Sequence, residues 1–416
     1  MVAIKDYKIS ANEKIIDATD MQILYFPLVT KYGYQYTETV SPGTYVYIGS
    51  ILGKCKINDL PLLSSVSGVV VGLQYKYISS GALVKCIVVE NDFKDKYLTK
   101  KGKKQNINNY NKLEFLTILK DSAISGLSGS DMPTYVKYDT DEKINYLIIN
   151  GMECEIYSST DNAVMYHKTE EILEGIDAIM EIMDIKKAYI AITEDNNLII
   201  SKFLKYINTY PNIKIYPVIN AYPMGYEKFL VNEILNLNYD KYPSEVGVIS
   251  ENVSTIYAIY EALKYHKPLV ERIVTISGDG IKNAGNYKVR IGTNFMELSE
   301  KYHLYNNLSL CTLVAGGAMM GKAIGKDDLI ITKDLTTVLV LKRDNQNESV
   351  CIKCGKCSEV CPVNLMPSLI MQHRDLAKDL KISKCIECGL CSYVCPAKIE
   401  VREHIKEIKE QKNERI

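Results

Sequence analysis

The sequence predicts a multidomain α/β and α+β protein that ends in a cysteine-rich metal module. Three observations carry this. From residue 144 onward, buried strand-like runs alternate with segments of helical apolar spacing, the pattern of a parallel sheet with helices. Before them, residues 36–90 hold short β-rich runs broken by Gly and Ser clusters. After them, eight of the twelve cysteines fall between 351 and 395.

Taken in order, "VVVGL" and "ALVKCIVVE" are strands of a small barrel or sandwich. The Asn- and Lys-rich stretch 91–112 reads as an exposed connection, with docking to an acidic partner as the sharper alternative. "INYLIIN" is a buried strand, and Ile172, Leu173, Ile176, Ile179, Met180 and Met183 form one apolar helix face. "AYIAIT", a helix around Phe203, Leu204 and Ile207, and "IKIYPVI" continue the α/β pattern. Residues 271–317 change character. Strand, "GDG" turn, strand, helix and strand make a compact α+β unit. "MPSLIMQHRDLAKDL" has helical spacing between the cysteine motifs, and "VREHIKEIKEQKNERI" reads as a charged, solvated tail over 401–416.

Composition removes several functions. Lys+Arg and Asp+Glu are both 50, so no overall field favours nucleic acid or an anionic membrane. "MVAIKDYKIS" has neither the signal-peptide nor the transit-peptide pattern, so a cytoplasmic protein is expected. The apolar stretch 308–321 is glycine-interrupted and too short to span a bilayer, and reads as a buried strand and turn. Five dispersed histidines offer no HExxH or Ser-His-Asp arrangement. The scattered Cys55, Cys86, Cys154 and Cys311 are expected to act as small buried hydrophobes.

"CIKCGKCSEVCP" (351–362) and "CIECGLCSYVCP" (385–396) are one motif written twice, C-x2-C-x2-C-x3-C-P. Three cysteines at intervals of three wrap one cubane, and the fourth, before proline, ligates the other cluster. The expected ligand sets therefore cross. Cys351, Cys354, Cys357 and Cys395 hold one [4Fe–4S] cluster, and Cys385, Cys388, Cys391 and Cys361 hold the second. Zinc is the competing reading, but zinc sites usually pair two C-x2-C knuckles rather than four-cysteine runs. Two adjacent clusters imply electron transfer. Residues 351–400 hold seven Lys/Arg and five Asp/Glu, unlike a strongly acidic free carrier, so a module attached to a larger body is expected.

The cysteine motifs, "INGMECE" (149–155), the long stretch 242–293 and "GGAMMGKAI" (316–324) together resemble the C-subunit family of the Rnf electron-transport complex. Soluble relatives of that family include a cobalamin reductase and the electron-transfer protein associated with proline reductase. The resemblance covers nearly the whole chain. It implies a barrel-sandwich domain (1–95), an α/β domain like the flavoprotein subunit of complex I (112–245), a soluble-ligand-binding β-grasp domain (246–330) and a dicluster ferredoxin module (345–400). It also implies electrons passing from NADH through FMN to the clusters and on to a redox partner or other members of a complex. Nucleic acid is not an expected partner. Peripheral attachment to the inner face of a membrane is the alternative to a free cytoplasmic protein. The barrel turn "SSVSG" (64–68) offers no lysine at its tip for a covalently carried group.

The implied FMN/NADH site comprises Gly126, Gly129, Thr134, Lys137, Asn150 and Glu153, with Gly225, Glu227 and Lys228 matching a later family motif. The family loop is G-x-G-G-A-G-F-P-T followed by Lys. Here "GLSGSDMPTYVK" keeps Gly126, Gly129, Pro133, Thr134 and Lys137, but Ser128 and Asp131 replace glycines, Ser130 an alanine and Met132 a phenylalanine. Asp tolerates positive φ, so the loop's shape is expected to survive. Charge is the harder problem. A carboxylate about 4 Å from a phosphate charge costs about 4 kcal/mol at an effective dielectric of 20. A chain that keeps its clusters but receives electrons from another protein, without flavin, is the alternative reading.

Overall fold

A computed structural model describes residues 2, 4, 7–58, 60–98, 107–305, 308–343 and 347–412. Of the connection at 91–112, residues 99–106 lie outside the described residues, as do residues 413–416 of the tail.

The barrel-sandwich is built from two small antiparallel sheets. One orders Ile23–Pro27, Leu83–Asn91, Gly68–Tyr77 and Tyr45–Val46; the other orders Tyr36–Glu38, Ile51–Cys55 and Pro61–Leu63. Its core is continuous with that of the β-grasp unit, where Leu24, Phe26 and Val89 pack in one cluster with Val274, Tyr287 and Val340. The turn Ser64–Ser67 is buried, and Ser65 Oγ donates to the Ile291 carbonyl at 2.6 Å. This turn is a domain contact, not a mobile arm.

The α/β unit has the expected parallel sheet, ordered Ile213–Val218, Lys187–Thr193, Tyr146–Asn150 and Val248–Asn252. The helix Thr169–Ile182 buries Ile172, Leu173, Ile176, Ile179 and Met180 against it. The fourth strand corrects the expected boundary at 245/246. Val248–Asn252 pairs in register with Tyr146–Asn150, and the helix Val253–Tyr265 packs on the same sheet. Both belong to the α/β unit.

The β-grasp sheet is wider than expected. Glu271–Ser277 and Gly285–Arg290 form the hairpin, with Phe295–Tyr302 the helix and Cys311–Ala315 the next strand. Two additions lie outside 246–330. Ile16–Ala18 joins one edge, parallel to Tyr287–Val289, and Thr337–Lys342 sits between the hairpin and Cys311–Ala315. Three of the scattered cysteines, Cys55, Cys86 and Cys311, are buried as expected, while Cys154 is half-buried.

The cysteine module has its own core of Leu365, Ile370, Ile382, Ile399, Val401, Ile405 and Ile408. The expected helix between the motifs is confined to Pro367–Gln372 and gives way at His373 to a short 3-10 turn. The tail is a correction too. Val401–Gln411 is a helix whose Val401, Ile405 and Ile408 stripe seals the module, with Lys409 buried beside it. Its many charges conceal an i, i+4, i+7 apolar face.

Candidate functional site

In an open parallel sheet, ligands sit beyond the carboxyl ends of the strands where the strand order reverses. Here the chain runs from Tyr146–Asn150 outward through Lys187–Thr193 to Ile213–Val218, then crosses back to the other side of Tyr146–Asn150 as Val248–Asn252. Asn150 and Asn252 stand opposite each other at that edge. Asn150 Nδ2 donates to the Gly225 carbonyl at 2.8 Å, and its Oδ1 accepts from the Met152 amide at 3.0 Å. This joins two of the expected segments. Gly225 has no room for a side chain, since a Cβ there would lie 2.9 Å from the Met152 carbonyl oxygen.

The glycine-rich loop lies over the same edge, at the start of the helix Val253–Tyr265, with the Leu127 amide donating to Thr255 Oγ1 at 3.0 Å. Gly126 donates to the Met132 carbonyl at 2.9 Å and closes the loop. Gly129 (φ +97°) and Asp131 (φ +48°) both take left-handed backbone. The loop shape therefore survives its substitutions, because Asp adopts this region more readily than most residues. Asp131 does not reach Lys137. Its Oδ1 accepts from Ser125 Oγ at 3.0 Å, and burial together with the Asp334 charge pushes its carboxyl up to about 6. Lys137 instead donates to the Ser250 carbonyl at 3.0 Å and to Glu251 Oε1 at 3.3 Å.

Two further expected ligand residues are buried. Glu153 is 7% exposed; it accepts from Ser158 Oγ at 2.6 Å and from the Asn162 amide at 3.0 Å, capping the helix Thr160–His167. Thr134 is fully buried with its hydroxyl unpartnered. Sequence reasoning missed Glu251, which is 1% exposed with Oε2 unpartnered beside Lys137. It also missed Asp161, which accepts from Asn252 Nδ2 at 2.7 Å and from Ser254 Oγ. The one available signal was Asn252, a helix cap that accepts from the Ser254 amide.

Burial pushes the Glu153 carboxyl up to about 7, with Asp161 adding to it. The folded chain thus holds a proton that the unfolded chain releases, so stability falls as pH rises from about 4.5 toward 7. The expected result is an apparent melting temperature a few degrees lower at pH 8 than at pH 5.5. Glu153→Gln should flatten that slope, and thermal scans across pH check it.

The cysteines gather into two cavities. One, of about 160 Å³, is lined by Cys351, Cys354, Cys357 and Cys395; the other, tighter at about 30 Å³, by Cys361, Cys385, Cys388 and Cys391. Each motif contributes three cysteines to one cavity and its fourth to the other. Gly355 (φ +78°) and Gly389 (φ +83°) each open a short helix at equivalent points of the repeat. The Leu365 amide donates to Cys361 Sγ at 3.2 Å and the Glu387 amide to Cys385 Sγ at 3.4 Å, backbone donors of the kind that face cluster sulfur. Soft thiolates held by such donors suit iron–sulfur chemistry.

The surroundings of the two cavities differ. The second motif packs on the body, where Ile386, Cys388 and Leu390 cluster with Tyr222 and Met319, and Tyr222 Oη donates to the Cys388 carbonyl at 2.7 Å. The first faces outward, with Cys354 exposed and Val350 and Ile352 89% and 66% exposed. A strut fixes the inner side. Glu155 accepts from the Met319 and Met320 amides, both at 3.0 Å, while Arg402 donates to the carbonyls of Met319, Met320 and Gly321. Glu155 lies two residues beyond Glu153, so one short stretch reaches from the carboxyl end of the sheet to the cluster module.

Comparison with known proteins agrees with this layout. Residues 2–94 match the model of the RnfC barrel sandwich hybrid domain, 119–261 the Nuo51 FMN-binding domain and 350–399 the 4Fe-4S dicluster domain. The second match runs past the strand Val248–Asn252, as the sheet requires. The C-subunit of the proton-translocating ferredoxin:NAD(+) oxidoreductase complex of Clostridium ljungdahlii is 31% identical over 90% of this chain and 84% of its own length. Its counterpart from the Na(+)-translocating complex of Acetobacterium woodii is 29% identical over 85% and 81%. Among solved structures, an air-oxidized NAD+-reducing [NiFe]-hydrogenase matches with a TM-score of 0.49 and 14% identity, over 73% of this chain and 54% of that one. Crossed cysteine cavities, matching family models and 31% identity over 90% of the chain converge: the chain belongs to the C-subunit family of the Rnf complexes and is an iron–sulfur electron-transfer protein.

Proposed function

We propose that this chain relays electrons from NADH, through a flavin in the sheet-edge cleft and two [4Fe–4S] clusters, to a partner of its complex. The observation that carries the reading is the serial placement of the sites. The Cys361/Cys385/Cys388/Cys391 cavity packs against the body that bears the cleft, while the Cys351/Cys354/Cys357/Cys395 cavity faces outward.

A bound flavin accepts a hydride and releases electrons singly, and a cubane carries one at a time. The rest falls to the chain. Asn150 and Gly225 fix the cleft wall, the missing side chain letting the Gly225 backbone pack against Met152 and Cys154. The amides of Ser128, Gly129 and Ser130 make no hydrogen bond to described residues and are open to a ligand. The Glu155–Arg402 strut keeps the inner cavity at a fixed place relative to the cleft. Among the described residues no helix is long and apolar enough to cross a membrane. The relatives' ion-translocating complexes support a place for the chain on the inner face of a membrane, held there by its protein partners.

The test is anaerobic purification with iron, sulfide and flavin quantified on one sample, followed by addition of NADH. About eight iron atoms, bound flavin and bleaching of the cluster absorbance by NADH are expected. Eight iron without flavin, even after supplementation, would leave a relay fed by another protein. Zinc in place of iron would overturn both.

A further inference from the structure

The loop at the cleft is surrounded by cations that are already spent. Lys31, from the barrel-sandwich, donates to the Gly129 carbonyl. Lys333, beyond the β-grasp helix, donates to the Ala123 carbonyl at 2.7 Å. Arg272, 5% exposed, donates to the carbonyls of Leu127 at 3.3 Å, Ile273 at 3.1 Å and Lys333. Asp131, Asp161 and Asp334 all act on Arg272, and Asp131 is acted on by Lys31 and Lys333 as well. Asp334 is held by Thr332 Oγ1 at 2.6 Å and by Ser79, and Asp131 by Ser125. Tyr32 and Tyr36 feel the Asp131 charge, Tyr32 also that of Glu387, and on the other side Glu153 feels the Asp161 charge.

Among these three cations and three aspartates, Asp131 supplies one of the three negative charges. A glycine at 131 would leave one positive charge over, next to three open loop amides, and that is an anion site. Ser130 Oγ also folds back over Gly126, in the place a Cβ of Gly126 would take.

Resting on the flavin reading above, we propose that Asp131 is a built-in counter-anion that stands in for a ligand phosphate. The cleft then takes a flavin without a terminal phosphate, riboflavin, in preference to FMN. Asp131 is the specificity-determining residue. It supplies the charge that a phosphorylated ligand would otherwise bring, and it repels that phosphate when the ligand carries one.

The full-length, cluster-loaded protein, stripped of flavin, is titrated with riboflavin and with FMN, followed by flavin fluorescence. Wild type is expected to bind riboflavin at least as tightly as FMN. Asp131→Asn, which keeps size and tolerates the same backbone, is expected to tighten FMN on the order of tenfold or more while leaving riboflavin within about threefold. In a thermal shift, inorganic phosphate should stabilise D131N and not wild type. A tenfold preference of wild type for FMN would overturn the inference, as would an FMN affinity unmoved by D131N. If no protein binds flavin, the ligand class falls with the flavin reading. Phosphate stabilisation confined to D131N would still establish the counter-anion, and its absence would remove that as well.

Discussion

Alanine at Gly389 is expected to undock the cluster module, whereas alanine at its repeat-mate Gly355 is expected to be mild. Both glycines open the same short helix at φ near +80°, so each substitution carries a left-handed backbone cost of about 1 kcal/mol. The neighbours decide the rest. A Cβ at Gly355 meets nothing within 4 Å, but one at Gly389 would lie 2.3 Å from the Met319 carbonyl oxygen, backbone that the Glu155–Arg402 strut holds in place. Relief requires the module to move off the body, with loss of the Tyr222–Cys388 hydrogen bond and the apolar contact beside it. Limited proteolysis between the body and Cys351, together with the rate at which NADH bleaches the clusters, reads the difference. Equal behaviour of the two variants would mean that the module does not dock by its second motif.

The second large effect tests the crossed ligand sets. Cys361→Ser should empty the cavity shared with Cys385, Cys388 and Cys391, although Cys361 belongs to the first motif in sequence. Iron should fall from about eight to about four per chain. The cluster that survives should be the outward one, accessible to a bulky chelator, since its cavity includes the exposed Cys354. Cys395→Ser should do the reverse and leave the inner cluster, shielded beneath Met319 and Tyr222. Electron paramagnetic resonance of the reduced variants distinguishes the two. If Cys361→Ser instead removes the outward signal, each motif binds its own cluster and the sets do not cross.

Much of this architecture was legible. The parallel strands announced themselves as buried β-branched runs, and the cysteine repeat specified its chemistry by spacing alone. The boundary at 245/246 was not legible, because "VGVISEN" follows a Pro-Ser turn with no linker after it and reads equally as the start of the next unit. Its membership in the sheet is a long-range pairing with Tyr146–Asn150. Ile16–Ala18 is three residues long, too short for any period to show. The tail was misread because charge dominates its composition and hides a narrow apolar stripe. At the cleft, the substitution of Asp131 was visible in sequence but its consequence was not. The groups that absorb its charge come from residues 31, 272 and 333, brought together only by the packing of three domains.

The strut also has a bearing on how the molecule is made. Arg402 lies beyond all eight clustered cysteines, yet it grips carbonyls at 319–321, in a part of the chain synthesised well before them. Near the start, Val2 is tied to Tyr222 by a pair of backbone hydrogen bonds, so the surface that receives the module is assembled from early segments. The latch therefore cannot fasten until the last cysteine has emerged. Docking of the module onto the body is thus a step that follows synthesis of the complete cysteine set.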